Sequence, residues 1–373
     1  MTLSGFATDE GTARYRERFR DTAAEGHFRF EQNLWLSSVG VGTYLGSPDE
    51  ATDRSYAESV ARAVELGANV IDTAANYRFQ RSERSIGDAL RRLTEAGFAR
   101  EELVVCTKGG YLPFDGRPPA GQAGVRQYVE ETFVRPGVVE FSDIVAGSHC
   151  MTPSYLAHQV AQSLGNMGLE TVDVYYVHNP ETQLQVVGRE EFYARLGRAF
   201  EQLERERAAG RIRFYGVATW NGFRAESNSR GHHALEEMWE LARAAGGEEH
   251  GFRFVQLPFN LAMPEALVAE NQPYHGAHVS LLEAAKALGV TVVASASLLQ
   301  GKVARDLPEH IREPLGSLST DAQTALQFAR STPGVTTALV GMSRPAHVEE
   351  NLRLARVAPA LAEDYSRLFT QEG

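Results

Sequence analysis

The strongest constraint on this 373-residue chain is an alternation: eight short apolar runs, each followed by a longer segment with helical spacing. The runs are "SSVGVGTY", "NVIDTA", "LVVCTKGG", "VDVYYVH", "IRFYGVAT", "FRFVQLPF", "GVTVVASA" and "TTALVGMS". They are nearly continuous in apolar residues, as parallel strands are when helices cover the sheet. Helical patterns fall at Ser55–Leu66, Glu83–Glu95, Tyr155–Met167, Glu190–Ala209, Ala234–Ala244, Val279–Leu288, Ala322–Ser331 and Ala346–Arg356. A glycine closing a helical stretch, as in "ELGANV", "AAGRIRF" and "ALGVTV", marks the return to a strand. Eight such units predict an α/β chain folded as one (β/α)₈ TIM barrel. An open doubly wound sheet is the alternative. It would carry a G-x-G-x-x-G turn after the first strand, which "GVGTYLG" does not supply.

Two segments exceed a minimal barrel. Residues 1–33 form an N-terminal extension, and residues 111–151 form an insertion after the third strand. A connection that long is functional or disordered, and its Val, Phe and Ile content argues against disorder. The insertion leaves the strand three residues after Lys108, so it is expected to border the active-site mouth. Phe114, Phe133 and Phe141 are expected to give it an apolar underside.

A formal net charge of -11 and the lack of a long basic run make nucleic acid and anionic membranes poor partners. No stretch reaches the ~18 apolar residues of a membrane span, and the N-terminus has no signal-peptide core. The two cysteines, Cys106 and Cys150, do not form a disulfide framework, which fits a cytoplasmic protein. His149, Cys150 and His158 lack tidy ligand spacing, so no metal is expected. Cys106 reads as a core residue, and His232-His233 as a solvated helix face.

In a barrel, the C-terminal strand ends surround the active site. Those positions hold Thr43, Asp72, Lys108, His178, Thr219, Gln256, Ser295 and Ser343, with Tyr77 on the loop after the second strand. Each has a bland reading. Asp72 suits a turn, His178 a satisfied core histidine, Lys108 a snorkelling side chain and Tyr77 a packed ring. Four ionisable side chains converging on one mouth are harder to dismiss. Ser82-Glu83 read as a helix start.

"NVIDTAANY", "RSERSIGDAL", "VVCTKGG", "VDVYYVHNP" and "GMSRPAHVEEN" together resemble the aldo-keto reductase family, over about Leu36 to Asn351. The resemblance implies an NADPH-dependent carbonyl reductase acting on a small aldehyde or ketone. Asp72, Tyr77, Lys108 and His178 match its catalytic residues. Tyr77 would give the proton to the nascent alkoxide. Its reference pKa of about 10 makes it a reluctant acid, which a neighbouring Lys108 would improve. Asp72 would keep Lys108 charged, and His178 would orient the carbonyl oxygen.

The hydride must come from a nicotinamide, since no side chain can supply it. The resemblance implies an NADPH site from Thr43, Thr219, Gln256, Ser297, Leu298, Gln300, Gly301, Lys302, Gly341, Ser343, Arg344, His347, Glu350 and Asn351. Gln256 would hold the carboxamide, and the stretch Ser297–Gly301 the pyrophosphate, with Lys302 as a charge partner. Arg344 would contact the ribose 2′-phosphate, whose geometry suits a guanidinium. NADH is the lesser candidate. The chain departs from the family pattern in three places. Ala218-Thr219 stand for Ser-Asn, Ser295 stands for a stacking aromatic, and His347 for Gln or Arg. Two other classes stay open. One is a cofactor-binding regulatory subunit with slow turnover, and the other a barrel lyase using Lys108 as a Schiff-base nucleophile.

Overall fold

The computed structural model describes residues 2–370. Eight parallel strands close into a barrel. In chain order they are β1 (Val39–Gly42), β2 (Val70–Asp72), β3 (Val104–Gly109), β4 (Val172–His178), β5 (Ile212–Ala218), β6 (Phe252–Pro258), β7 (Thr291–Ser295) and β8 (Val335–Gly341). The first seven fall inside the first seven apolar runs, and β8 begins one residue before the eighth, at Val335. The outer helices are α1 (Glu50–Glu65), α2 (Arg81–Glu95), α3 (Pro153–Met167), α4 (Arg189–Ala208), α5 (Leu235–Gly246), α6 (Leu281–Ala287), α7 (Asp321–Ser331) and α8 (Pro345–Asn351). Helix α1 begins five residues before the hydrophobic spacing predicts, because Asp49 caps it by accepting the Thr52 N–H. Beyond α8 the predicted helix tightens into 3₁₀ turns over Leu352–Arg356.

The register decides which side chains meet. Asp72 pairs with Gly42 and Cys106, Lys108 with Tyr176, and Ala218 with His178 and Gln256. Alternation along each strand then splits the apolar residues into two sets. Val41, Ile71, Val105, Val177 and Val217 face the helices. Val70, Val104, Cys106, Val174, Tyr176, Phe254, Val293 and Leu339 fill the interior. Cys106 is a buried core residue, as expected. Gly216 has no side chain because a Cβ there would collide with the Phe254 carbonyl, where the β5–β6 register shifts.

The N-terminal extension is more ordered than its composition suggests. A helix over Asp9–Glu17 precedes an antiparallel hairpin, Phe28–Glu31 with Leu34–Ser37. Leu34 and Leu36 plug the N-terminal end of the barrel, so the extension runs past residue 33 to the edge of β1. The insertion holds a helix over Gly121–Val129 and packs Leu112, Val129, Phe133, Val139 and Cys150 into a small core with Tyr155 of α3. Phe133 is buried, but Phe141 is 43% exposed with the Arg126 guanidinium over its ring, contrary to the apolar underside expected of it.

Buried neutral histidines tie these additions to the barrel. His27 holds Ser38 Oγ at 3.0 Å and the Gly67 carbonyl at 2.9 Å, and burial pushes its imidazole down to about 3. Burial likewise pushes His149 down to about 4. Unfolded histidines take up a proton near 6.5 whereas these do not, so acid favours the unfolded chain. Stability is therefore expected to be intact above pH 6.5 and to fall between 6.5 and about 4. The slope is roughly 1.4 kcal/mol per pH unit for each such histidine. Urea titrations at pH 7.0, 5.5 and 4.5 check it, and a flat midpoint across that range would contradict it.

Candidate active site

Asp72 ends β2, Lys108 lies one residue from the end of β3, and His178 ends β4. Lys108 Nζ donates to Asp72 Oδ2 at 2.5 Å and to the Thr73 carbonyl at 2.8 Å. The lysine is 1% exposed, so it does not snorkel. Burial favours the neutral amine, but the charge and hydrogen bond of Asp72, together with Tyr77, outweigh it and hold Lys108 above its usual range. Gln256 Nε2 donates to the other carboxylate oxygen, Oδ1, at 2.8 Å. Both Asp72 oxygens are thus occupied, and an ammonium stays buried and charged.

Tyr77 is brought onto this pair by an unusual turn. The residues after it, Arg78, Phe79 and Gln80, all have left-handed backbones with φ of 48°, 59° and 69°. Arg78 and Arg81 both pair with Asp53 of α1, which anchors the turn. The Tyr77 ring centroid lies 5.0 Å from Lys108 Nζ and 5.8 Å from the His178 ring. Burial raises the Tyr77 phenol above its ordinary value, and the Lys108 charge pulls against that rise. His178 is held neutral, first by burial and then by the Lys108 charge. Its Nδ1 is buried without a partner, so the ring proton is better carried by Nε2.

A cavity of about 490 Å³ opens over these groups. It is lined by Asp72, Tyr77 and His178, and by Thr43, Thr219, Gln256, Ser297, Leu298, Gln300, Gly301, Gly341, Ser343, His347, Glu350 and Asn351. Lys108 lies beneath the lining, behind Asp72, and two residues expected to hold the cofactor do not line the cavity either. Lys302 turns out to solvent, because the 3₁₀ turn Leu299–Gly301 carries left-handed residues at Leu299 and Gln300, and Arg305 lines the cavity in its stead. Arg344 is exposed at the N-cap of α8, beside the cavity residue Ser343. The cavity wall holds two buried polar atoms without partners, Thr219 Oγ1 and Asn351 Oδ1.

Several residues of this region are absent from the sequence reading. Tyr44, Leu45 and Trp220 line the cavity with exposures of 57%, 38% and 43%. The insertion, expected to border the mouth, meets the site at its two ends. The Tyr111 ring sits 5.1 Å from the His178 ring, and His149 Nε2 lies 2.8 Å from the His178 carbonyl. Residues 111–151 do not line the cavity itself. His232 and His233 are buried at 1% and 0% exposure, not on a solvated helix face, because they precede α5 in a loop packed against Phe192 and Gln272. Helix α2 begins at Arg81, one residue before the expected Ser82-Glu83 start, and Glu83 also accepts the Thr107 hydroxyl at 2.7 Å.

Comparison with known proteins agrees with this geometry. The family model described as "Aldo/keto reductase family" matches residues 38–369. The chain is 25% identical over 343 residues to D-threo-aldose 1-dehydrogenase of a Pseudomonas species, covering 86% of this chain and 90% of that one. It is 26% identical over 191 residues to the NADH-specific methylglyoxal reductase of Escherichia coli K12, a match spanning 50% of this chain and 49% of that relative. The crystal structure of an aldo/keto reductase from Klebsiella pneumoniae in complex with NADP and acetate superposes with a TM-score of 0.60 at 20% identity, over 92% of this chain and 94% of that one. The chain belongs to the aldo/keto reductase family. It is an NAD(P)H-dependent oxidoreductase of the CH–OH/carbonyl class. Among the described residues no helix is long and apolar enough to cross a membrane.

Proposed function

We propose that this protein reversibly reduces an aldehyde or ketone to its alcohol with NADPH, and that Tyr77 is the proton donor. The observation that carries this reading is the buried Lys108–Asp72 pair beneath Tyr77 at the floor of the cavity. A charged ammonium in a dry site costs several kcal/mol unless it is paired. Its use here is to favour the phenolate that Tyr77 becomes once its proton has left. His178, neutral and with its proton on Nε2, donates to the carbonyl oxygen and holds it against the Tyr77 hydroxyl. Asp72 keeps Lys108 protonated, and Gln256 keeps Asp72 from turning away.

The cavity fits a nicotinamide dinucleotide by the chemistry of its wall. Thr219 Oγ1 and Asn351 Oδ1 are buried without partners and await polar groups from a ligand. Gln256 has its amide nitrogen committed to Asp72, which leaves its oxygen to accept from a carboxamide N–H. Thr43 and Ser297–Gly301 would follow the pyrophosphate, and Gly341, Ser343, His347, Glu350 and Asn351 the adenosine end. When bound, the reduced nicotinamide supplies the hydride. A Schiff-base role for Lys108 is disfavoured, because its nitrogen is buried, charged and outside the cavity lining.

A panel of aldehydes and ketones with NADPH and NADH, followed by cofactor absorbance, tests the reading. Turnover dependent on a carbonyl and on NADPH is expected. Cofactor binding without carbonyl-dependent oxidation across the panel would contradict it. Preference for NADPH rests on Arg344 and Ser343. Arg344→Ala is expected to weaken NADPH by about 10- to 100-fold, the worth of charge-assisted phosphate contacts, and to leave NADH nearly unaffected. Equal weakening of both in isothermal titration would remove Arg344 from that role.

A further inference from the structure

We infer that Glu181 is a positioning residue: a carboxylate clamp with one oxygen buried against His233, which holds Trp220 in the cavity wall and makes Trp220 a determinant of substrate selectivity. The inference rests on the carbonyl-reductase reading for the identity of the substrate, but the clamp itself is seen in the geometry.

Glu181 lies in the 3₁₀ segment Pro180–Gln185, three residues beyond His178. One carboxylate oxygen, Oε1, accepts both the Trp220 N–H at 2.8 Å and the Asn221 N–H at 3.0 Å. The other, Oε2, is buried without a hydrogen-bond partner and faces His233 Nε2 at 3.6 Å, itself buried and unpartnered. His233 is fixed from two further sides. Its ring stacks on Phe192 at 5.0 Å, and its backbone N–H donates to the Gly222 carbonyl at 2.7 Å. Gly222 must lack a side chain, since a Cβ there would run into the His233 ring. The turn after β5 therefore closes around the Glu181–His233 contact.

Burial pushes the Glu181 carboxyl upward, but His233 and the Asn221 N–H outweigh it and hold the group below the usual carboxylate range. Charge-assisted bonds from a fixed carboxylate are short and directional. A carboxylate oxygen buried without a hydrogen-bond partner is costly to keep, and such groups gather at functional sites. The side chain presented by this clamp is Trp220, 43% exposed and lining the cavity with Tyr77, His178 and Asn179. Below it, Ala218 and Thr219 are pinned by the Asn179 N–H to Ala218 carbonyl bond at 2.6 Å and the Thr219 N–H to Gln256 carbonyl bond at 2.9 Å. A second brace follows, where Arg224 pairs with Glu265 at 2.6 Å. The indole is thus set on a rigid turn, within the same cavity as the reacting groups. Carbonyl compounds carrying a flat ring gain contact with it, and compounds of two or three carbons do not.

Steady-state kinetics with 2-naphthaldehyde and propanal, both with NADPH, test the inference on the full chain. The ratio of kcat/KM for 2-naphthaldehyde to that for propanal is expected to fall about 5- to 10-fold in Trp220→Ala, as for loss of one aromatic contact. Glu181→Ala should reproduce the fall, mainly through KM for the naphthyl compound. Glu181→Gln, which retains an oxygen for both N–H groups, should restore most of it. A purely structural Glu181 would lower both substrates equally with a lower melting temperature, and that outcome overturns the inference. An unchanged ratio in Glu181→Ala, beside a changed one in Trp220→Ala, overturns it also. Quenching of tryptophan fluorescence by 2-naphthalenemethanol supplies a readout without turnover. Quenching lost in Trp220→Phe and weakened in Glu181→Ala supports the clamp even if neither aldehyde is reduced, in which case the carbonyl-reductase reading alone has failed.

Discussion

Tyr77→Phe is expected to lower kcat by roughly 10²- to 10⁴-fold, the usual worth of a positioned general acid. The substitution removes one oxygen and almost no volume, so the fold should survive. Cofactor binding should survive with it, because the polar atoms without partners in the cavity wall, Thr219 Oγ1 and Asn351 Oδ1, are untouched. Steady-state rates with a good aldehyde and a fluorescence titration with NADPH measure both effects. A variant with wild-type kcat, under conditions where chemistry limits the rate, would reduce Tyr77 to a packed ring.

Lys108→Met is expected to lose a comparable factor by leaving Tyr77 without its ammonium. It should also lose stability, which Tyr77→Phe should not. Asp72 would remain buried with Gln256 Nε2 as its remaining side-chain donor, and breaking a buried pair from one side costs roughly 3–5 kcal/mol. Denaturant unfolding should show that loss, and the added change Asp72→Asn should recover much of it by removing the stranded charge. The Tyr77→Phe/Lys108→Met double variant should turn over little more slowly than either single one, since residues acting as a unit are not additive. Multiplicative losses would mean that the two side chains act separately.

The barrel was legible because parallel strands covered by helices must be apolar on both faces, and a run such as "VDVYYVH" can hardly be anything else. The side chains proposed as catalytic stand out in the sequence for a related reason. Asp72, Lys108 and His178 interrupt apolar strands at their C-terminal ends, where a polar or charged side chain has no packing role. The N-terminal hairpin was missed although its signal is present. "FRFE" alternates apolar and polar residues, "LWL" is an apolar run, and the two-residue turn between them, Gln32 and Asn33, takes left-handed backbones with φ of 52° and 57°. Glu181 and His233 could not be found this way. They stand 52 positions apart, and only the closed barrel brings them together. The exchange of Lys302 for Arg305 turns on two left-handed residues, Leu299 and Gln300, that no local spacing announces. Phe141 was misread because an aromatic in a long loop suits a surface cation–π contact as well as a core.

The most direct test of Tyr77 as proton donor is a single-turnover pH profile. Enzyme preloaded with NADPH is mixed with excess aldehyde, and the loss of cofactor absorbance is followed. Reduction needs the protonated phenol, which burial holds above the ordinary tyrosine value of 10.0 against the pull of Lys108. The observed rate constant should therefore be flat through neutral pH and fall only on the alkaline side. In Tyr77→Phe the residual rate should be low and without that alkaline fall. A wild-type rate constant that keeps its neutral value through the alkaline limb, or a Tyr77→Phe profile that overlays it, would contradict the mechanism.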